Sequence, residues 1–203
     1  MKHILLILII TFTSLSCKAQ VPILDILDRT SDTPDRSYFK DTTNFLNKFT
    51  GTWVYNSGNT VLTIIIEKRL QVYTGDIYED LLVGEYQYIE NGIEKINTLN
   101  QINTISNSES YKHNLYGNYD IYPNEFPACD NCSQYEKRVK LDFTDPTPTL
   151  SHLNGMVMGL RYLNDNNSEQ LQIDFEMNGI ITLPNGAQQE PSLPFGRYTL
   201  IKQ

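Results

Sequence analysis

The stretch 135–143 constrains the fold more than any other. Tyr135, Val139, Leu141 and Phe143 alternate with Glu136, Arg138, Lys140 and Asp142, and Lys137 is the one intruder on the apolar side. A period of two belongs to a strand with one buried and one polar face, not to a helix. The same period runs through Leu62, Ile64 and Ile66, and through Leu82, Gly84, Tyr86 and Tyr88. It returns in Met156, Met158, Leu160 and Tyr162, and in Leu171, Ile173, Phe175 and Met177. Asn91-Gly92 and Asn178-Gly179 read as hairpin turns, because both dipeptides tolerate the positive φ of a tight two-residue loop. Residues 41–49 predict one short N-terminal helix with Phe45, Leu46 and Phe49 on one side. Residues 100–112 are polar and predict a long loop or weak strand. About nine or ten short strands with close turns predict an all-β fold, a single antiparallel β-barrel. One polar and one apolar face per strand fits one sheet closed around a core. Ala occurs only at positions 19, 128 and 187, and scarce Ala beside 13 Tyr argues against helices.

The formal net charge is -8 and the pI is near 4.8. That balance excludes nucleic acid as a partner, which demands a basic footprint. At the N-terminus Lys2 and His3 precede an apolar run over 4–10, followed by small polar residues and Cys17. The order is that of a secretory signal, and the run is shorter than the roughly 20 residues of a membrane-spanning helix. Ser14-Leu15-Ser16-Cys17 resembles the lipobox of bacterial lipoproteins, although the Leu of that motif more often stands three residues before the Cys than two. The resemblance implies a signal peptide at 1–16, lipidation of Cys17 and anchoring through membrane lipid. Lys18-Ala19-Gln20 is similar to the start of lipoproteins of Bacteroidota. Lys18 stands where an Asp would resemble an inner-membrane retention signal, and no acidic run follows. The location implied is the outer membrane, facing the periplasm. Residues 17–38 are then expected to be the lipidated Cys and a tether, and 39–203 the barrel domain.

Asn44-Phe45, followed by Lys48-Phe49-Thr50-Gly51-Thr52-Trp53, resembles the opening of lipocalins. In that family a helical turn leads into a Gly-x-Trp at the first barrel strand. The resemblance implies a lipocalin-like, or more broadly calycin-like, barrel. Gly51 would let the chain enter the strand tightly and Trp53 would plug the closed end. It also implies a late Arg stacked on that Trp, a role for Arg197 if the first and last strands pair. A C-terminal helix, usual in lipocalins, is missing from the pattern. The Phe-Thr-Gly-Thr-Trp start, Thr63-Ile64, Leu82-Val83-Gly84 and the hairpin from Tyr88 to Gly92 also resemble an uncharacterised family of small Bacteroidota lipoproteins, for which no activity is implied.

Candidate chemistry is sparse. No nucleophile elbow, metalloprotease helix or phosphate loop occurs, so no enzyme activity, catalytic residue, metal site or cofactor is expected. His113 and His152 lie in polar segments, and Glu85, Asp120 and Asp174 fall on polar faces. Asp76, Glu79 and Asp80 form an acidic run expected to be solvated. Cys129 and Cys132 lie in a loop between two strands and read as a disulfide rather than a redox pair. Tyr86, Tyr88, Met156, Met158, Tyr162 and Phe175 are the candidates for lining a cavity in the barrel. The expected function is non-catalytic binding of a small apolar or amphipathic ligand there. The alternative is a filled barrel that docks an envelope protein.

Overall fold

In the computed structural model the described residues are 22–30, 32–147, 150, 155–165, 168–179 and 190–203. The expected signal peptide, Cys17 and the return strand over 180–183 fall outside them. The described strands are β1 (Ile23–Asp25), β2 (Tyr38–Lys40), β3 (Gly51–Ser57), β4 (Thr60–Tyr73), β5 (Tyr78–Glu90) and β6 (Ile93–Asn97). They continue with β7 (Leu115–Ile121), β8 (Arg138–Phe143), β9 (Met156–Asp165), β10 (Ser168–Met177) and β11 (Gly196–Lys202). Eight of them, β3, β4, β5, β7, β8, β9, β10 and β11, pair antiparallel in a closed ring. The remaining three, β1, β2 and β6, are appended to it through β5, with β1–β2 and β2–β5 parallel. The chain is therefore an all-β barrel, with fewer strands in the barrel than the pattern suggested and three outside it.

The alternation has the expected consequence. Leu62, Ile64, Ile66, Leu82, Tyr86, Val139, Leu141, Met158, Leu160, Leu171, Ile173 and Phe175 are buried in one cluster. The Asn91-Gly92 turn has φ of 52° and 74°, the two positive values that the hairpin between β5 and β6 requires. Ring closure depends on a short contact, in which Leu82, Val83 and Gly84 pair with Gly117, Tyr116 and Leu115. A Cβ on Gly84 would stand 2.9 Å from the Ile65 carbonyl oxygen and 3.2 Å from Leu115 Cβ. Only Gly lets three strands approach so closely there.

Expectations at the Trp53 end need correction in detail. The helix expected over 41–49 is a short 3₁₀ turn, Phe45–Phe49, that brings Leu46 and Phe49 under the barrel. Gly51 enters β3 with φ 128°, where a side chain would be strained. Trp53 is fully buried and donates its indole N–H to the Phe49 carbonyl at 2.9 Å. The first and last barrel strands do pair, with Trp53 opposite Lys202. The cation on the indole is consequently Lys202, whose Nζ lies 5.3 Å from the ring centre. Arg197 sits further along β11 and pairs with Asp174 at 2.5 Å. Nor is the described part of the expected tether free of the domain. Its β1 pairs with β2, and Ile26 is buried with Phe39 in the main cluster. Val21 to Leu27 is apolar because part of it is core.

Trp53→Ala should cost about 3–5 kcal/mol in denaturant unfolding. Lys202→Met should shift the Trp53 fluorescence, whereas Arg197→Met should leave it unchanged. Gly84→Ala should destabilise by about 1–3 kcal/mol, since backbone must move to admit the methyl group.

Candidate functional site

The interior is the first place to look. Tyr86, Met158 and Phe175 are fully buried, and Tyr88 and Met156 nearly so. Tyr86 meets Phe143 at 5.3 Å between ring centres, Phe143 meets Phe175 at 4.5 Å, and Phe175 meets Phe195 at 4.8 Å. Tyr86, Phe143 and Phe175 thus lie against one another in the interior. Tyr162 is apart from them, at the Trp53 end, edge-on to that indole and donating its hydroxyl to Glu169 at 2.7 Å. Tyr88 borders an open cleft of about 680 Å³ at the opposite rim, with Glu90, Lys95 and Pro194. Of the six residues expected to line one cavity, Tyr86, Tyr88, Met156, Met158 and Phe175 are buried in the main cluster and Tyr162 is packed half-buried against it, with Tyr162 and Tyr88 at opposite ends.

The polar chemistry lies on the outside of the barrel, under three covers. The first is the segment 98–113, made of two 3₁₀ turns, Leu99–Asn103 and Asn107–Lys112. It seats Ile102 on Leu81, Val83 and Val72 in a second small cluster. Where it rejoins the sheet, His113 Nδ1 lies 2.7 Å from Glu85 Oε1, both side chains wholly excluded from solvent. Glu85 is thus on an outer face, as the alternation predicts, but is not solvated. Its Oε2 and the Nε2 of His113 have no protein partner. A carboxylate–imidazole pair could in principle shuttle a proton, but here nothing can reach it, so its effect is to hold the cover.

The second cover is the N-terminal strap. Asp80 is buried and accepts from Tyr38 Oη at 2.6 Å, Gln71 N at 3.0 Å and Asp41 N at 3.0 Å. Asp41 in turn accepts from Phe45 N at 2.7 Å and Lys68 Nζ at 2.6 Å. Arg29 reaches Glu79 at 2.6 Å and Asn118 at 2.8 Å. The acidic run expected to be solvated is therefore bonded, Glu79 and Asp80 to the strap and its neighbours. Burial, together with the hydrogen bond that Tyr38 donates to the Asp80 carboxylate, pushes the Tyr38 hydroxyl well above the ordinary tyrosine range.

The third cover is the loop 122–137 between β7 and β8, whose ends are brought together by the pairing of Ile121 with Arg138. Cys129 and Cys132 are disulfide-bonded within it, with Cα atoms 5.5 Å apart. Beneath it lies Arg138, wholly buried although it stands on the polar side of β8. Its Nη2 donates to the carbonyls of Tyr122 at 2.9 Å and Glu125 at 3.2 Å, while Nε and Nη1 find no protein partner. Burial lowers the Arg138 pKa, and Asp174 and Glu136 oppose that. Pro127 sits where a side chain on Gly159 would be, 3.2 Å from its would-be Cβ. Arg161 clamps Glu136 with two bonds of 2.6 and 2.9 Å and donates to the Asn131 carbonyl at 3.1 Å. On the outer side Tyr122 and Tyr135 flank a cleft of about 610 Å³. Tyr135, expected inside the core at the start of a strand, is 79% exposed, because β8 begins only at Arg138. A loop of this length without strand or helix is usually either functional or disordered, and this one is fastened at several points. Its length and its two Cys were the signals available in the sequence. Arg138 and Glu85 gave none, since a covered outer face and a solvated one share the same period. Among the described residues no three His, Cys, Asp or Glu side chains converge as a metal would require.

Two outcomes follow from this geometry. Removing one partner of the Glu85–His113 pair, as in His113→Ala, should cost about 1–3 kcal/mol and speed amide exchange in 98–113 most. The Arg161 hydrogen bonds hold the Glu136 carboxyl below its ordinary value of 4.5, against the opposing effect of burial. A lowered pKa stabilises the folded loop above 4.5, and that stability is lost as pH falls through the folded value. Protection factors over 131–137, corrected for the intrinsic pH dependence of amide exchange, should fall on acidification below that point, and Arg161→Met should weaken the dependence.

Comparison with curated proteins finds no match, and comparison with solved structures finds none either. A family model matches residues 1–203, and the chain belongs to that family, a family of unknown function (DUF6705).

Proposed function

We propose that this protein is a lipid-anchored, non-catalytic binding module of the bacterial envelope that recognises its partner outside the barrel, through the loop 122–137. The observation that carries this reading is the packed interior. A ligand held there would have to displace Tyr86, Phe143 and Phe175, which are buried against one another. Recognition then falls to the surface, and the loop is the surface feature most heavily fastened and most aromatic. The Gly-x-Trp entry and its lipocalin-like plug serve as the scaffold in this reading.

Anchoring at Cys17 supports the same assignment. Only four residues separate Cys17 from Pro22, the first described residue, and β1 starts one residue later. Fully extended, Cys17 to Pro22 reaches about 17 Å. The strap enters at the Trp53 end, the end from which the loop 122–137 springs. An acyl anchor there would keep the loop close to the membrane, within reach of other envelope components rather than of the bulk periplasm.

An intact mass spectrum of the chain purified from its own membranes tests the anchor. The expected species starts at Cys17 and carries the added mass of acyl chains. A chain that starts elsewhere or carries no lipid removes the anchored reading. A native mass spectrum of the same material, released from detergent, tests the filled barrel. The expected mass is that of the lipidated chain alone. A retained apolar molecule that leaves on denaturation would return the function to the interior.

A further inference from the structure

We propose that the cleft between Tyr122 and Tyr135 binds a neutral saccharide. The proposal rests on the loop being the recognition surface and adds the chemistry of what is recognised. The cleft is lined by Tyr122, Pro123, Asn124, Glu125, Gln134 and Tyr135.

Charge narrows the ligand first. No Lys or Arg lines the cleft, so nothing there offsets the desolvation of a phosphate, sulfate or carboxylate. The neighbouring cation, Lys137, is engaged, with its Nζ 3.0 Å from Asp120 and 5.5 Å from the Tyr122 ring centre. A metal ion finds a single carboxylate, Glu125, which already accepts from the Tyr122 amide at 2.5 Å. The ligand that fits is uncharged.

The side chains then define its shape. Tyr135, 79% exposed, offers a flat apolar face with a hydroxyl tip, and Tyr122, 40% exposed and with Lys137 Nζ over one side of its ring, borders the other limb. The side chains of Asn124 and Gln134 make no hydrogen bond within the protein, and each amide carries both donors and an acceptor. A sugar ring matches this set. One of its faces is C–H and stacks on an aromatic ring, and its rim is hydroxyls that donate and accept at once. A purely apolar ligand would leave the two amides unpaired, and that costs affinity.

The site is also pre-formed. Arg138 fixes the carbonyls of Tyr122 and Glu125 from below, and the Cys129 amide donates to the Pro123 carbonyl at 2.8 Å. The disulfide and the Arg161–Glu136 clamp fasten the other limb. Binding therefore orders little backbone, which is how a shallow cleft retains useful affinity.

The test is a titration of the full chain, carbon-13 labelled at tyrosine and held in a zwitterionic detergent with no sugar headgroup. The probes are maltohexaose, cellohexaose and chitohexaose, with an oligogalacturonate as the anionic control. The expected result is a Kd of about 1 mM or tighter for at least one neutral probe, with shifts confined to Tyr122 and Tyr135 and none from the control. Tyr135→Ala should weaken binding by at least about tenfold with an unchanged melting temperature, and Tyr111→Ala, at an exposed site elsewhere, should not. Absence of shifts with every neutral probe, or binding that survives Tyr135→Ala, overturns the proposal. A photo-crosslinker at Gln134 separates the two readings. If no sugar binds but an envelope protein is captured in a manner lost with Tyr135→Ala, the ligand class has failed and the loop remains the recognition surface. If neither occurs, both readings fail.

Discussion

The molecule depends on a contact three residue pairs long, where β5 meets β7 at Leu82–Gly84. One edge of β5 is occupied by β4 along most of its length, and the other edge is shared among β2, β7 and β6. Without the middle of these pairings the sheet would be an open ribbon with two exposed edges and an unsealed apolar face. Closure removes the edges and turns eight half-buried faces into one core. The close approach at Gly84 makes that possible, and Trp53 is buried at one end with the Phe49 carbonyl and Lys202 as its partners.

A barrel of eight strands is about the size whose interior side chains can fill. Large residues stand at the inward positions here, with three aromatic rings tilted against one another across the middle. The Tyr86 hydroxyl is buried among these rings and has no hydrogen-bond partner among the described residues. The covering segments lie on the outer face. There, three covers each use a buried charged or polar group as their fastening: Glu85 with His113, Asp80 with the strap, and Arg138 with the loop 122–137. Removing one partner from such a fastening would strand a buried polar group, so each cover is tied to the barrel more firmly than its irregular backbone suggests.

The covers differ in what they show to solvent. The segment 98–113 hides a small apolar cluster and the strap completes the core. The loop 122–137 alone holds two tyrosines outward over a cleft while its backbone is clamped from beneath. A rigid support under exposed aromatic side chains supports the recognition role proposed for this loop, because the entropy of ordering it has already been met in the free protein.

The inward stripes from Leu62 to Phe175 and the Asn91-Gly92 hairpin were legible in the sequence. Each rests on local physics: a two-residue side-chain period, and a dipeptide tolerant of positive φ. Partnerships were not legible. Which cation stacks on Trp53 depends on the register of β11 against β3, and a few residues of register separate Lys202 from Arg197. Whether Glu85, Asp80 and Arg138 meet water or a loop depends on segments distant in sequence folding back over the barrel. The sequence by itself determined that this chain makes strands around a core and which face of each strand is apolar. Only the tertiary structure decided which rings meet inside the barrel and which polar faces are covered, because periodicity reports the side a residue faces and not what is packed against that side.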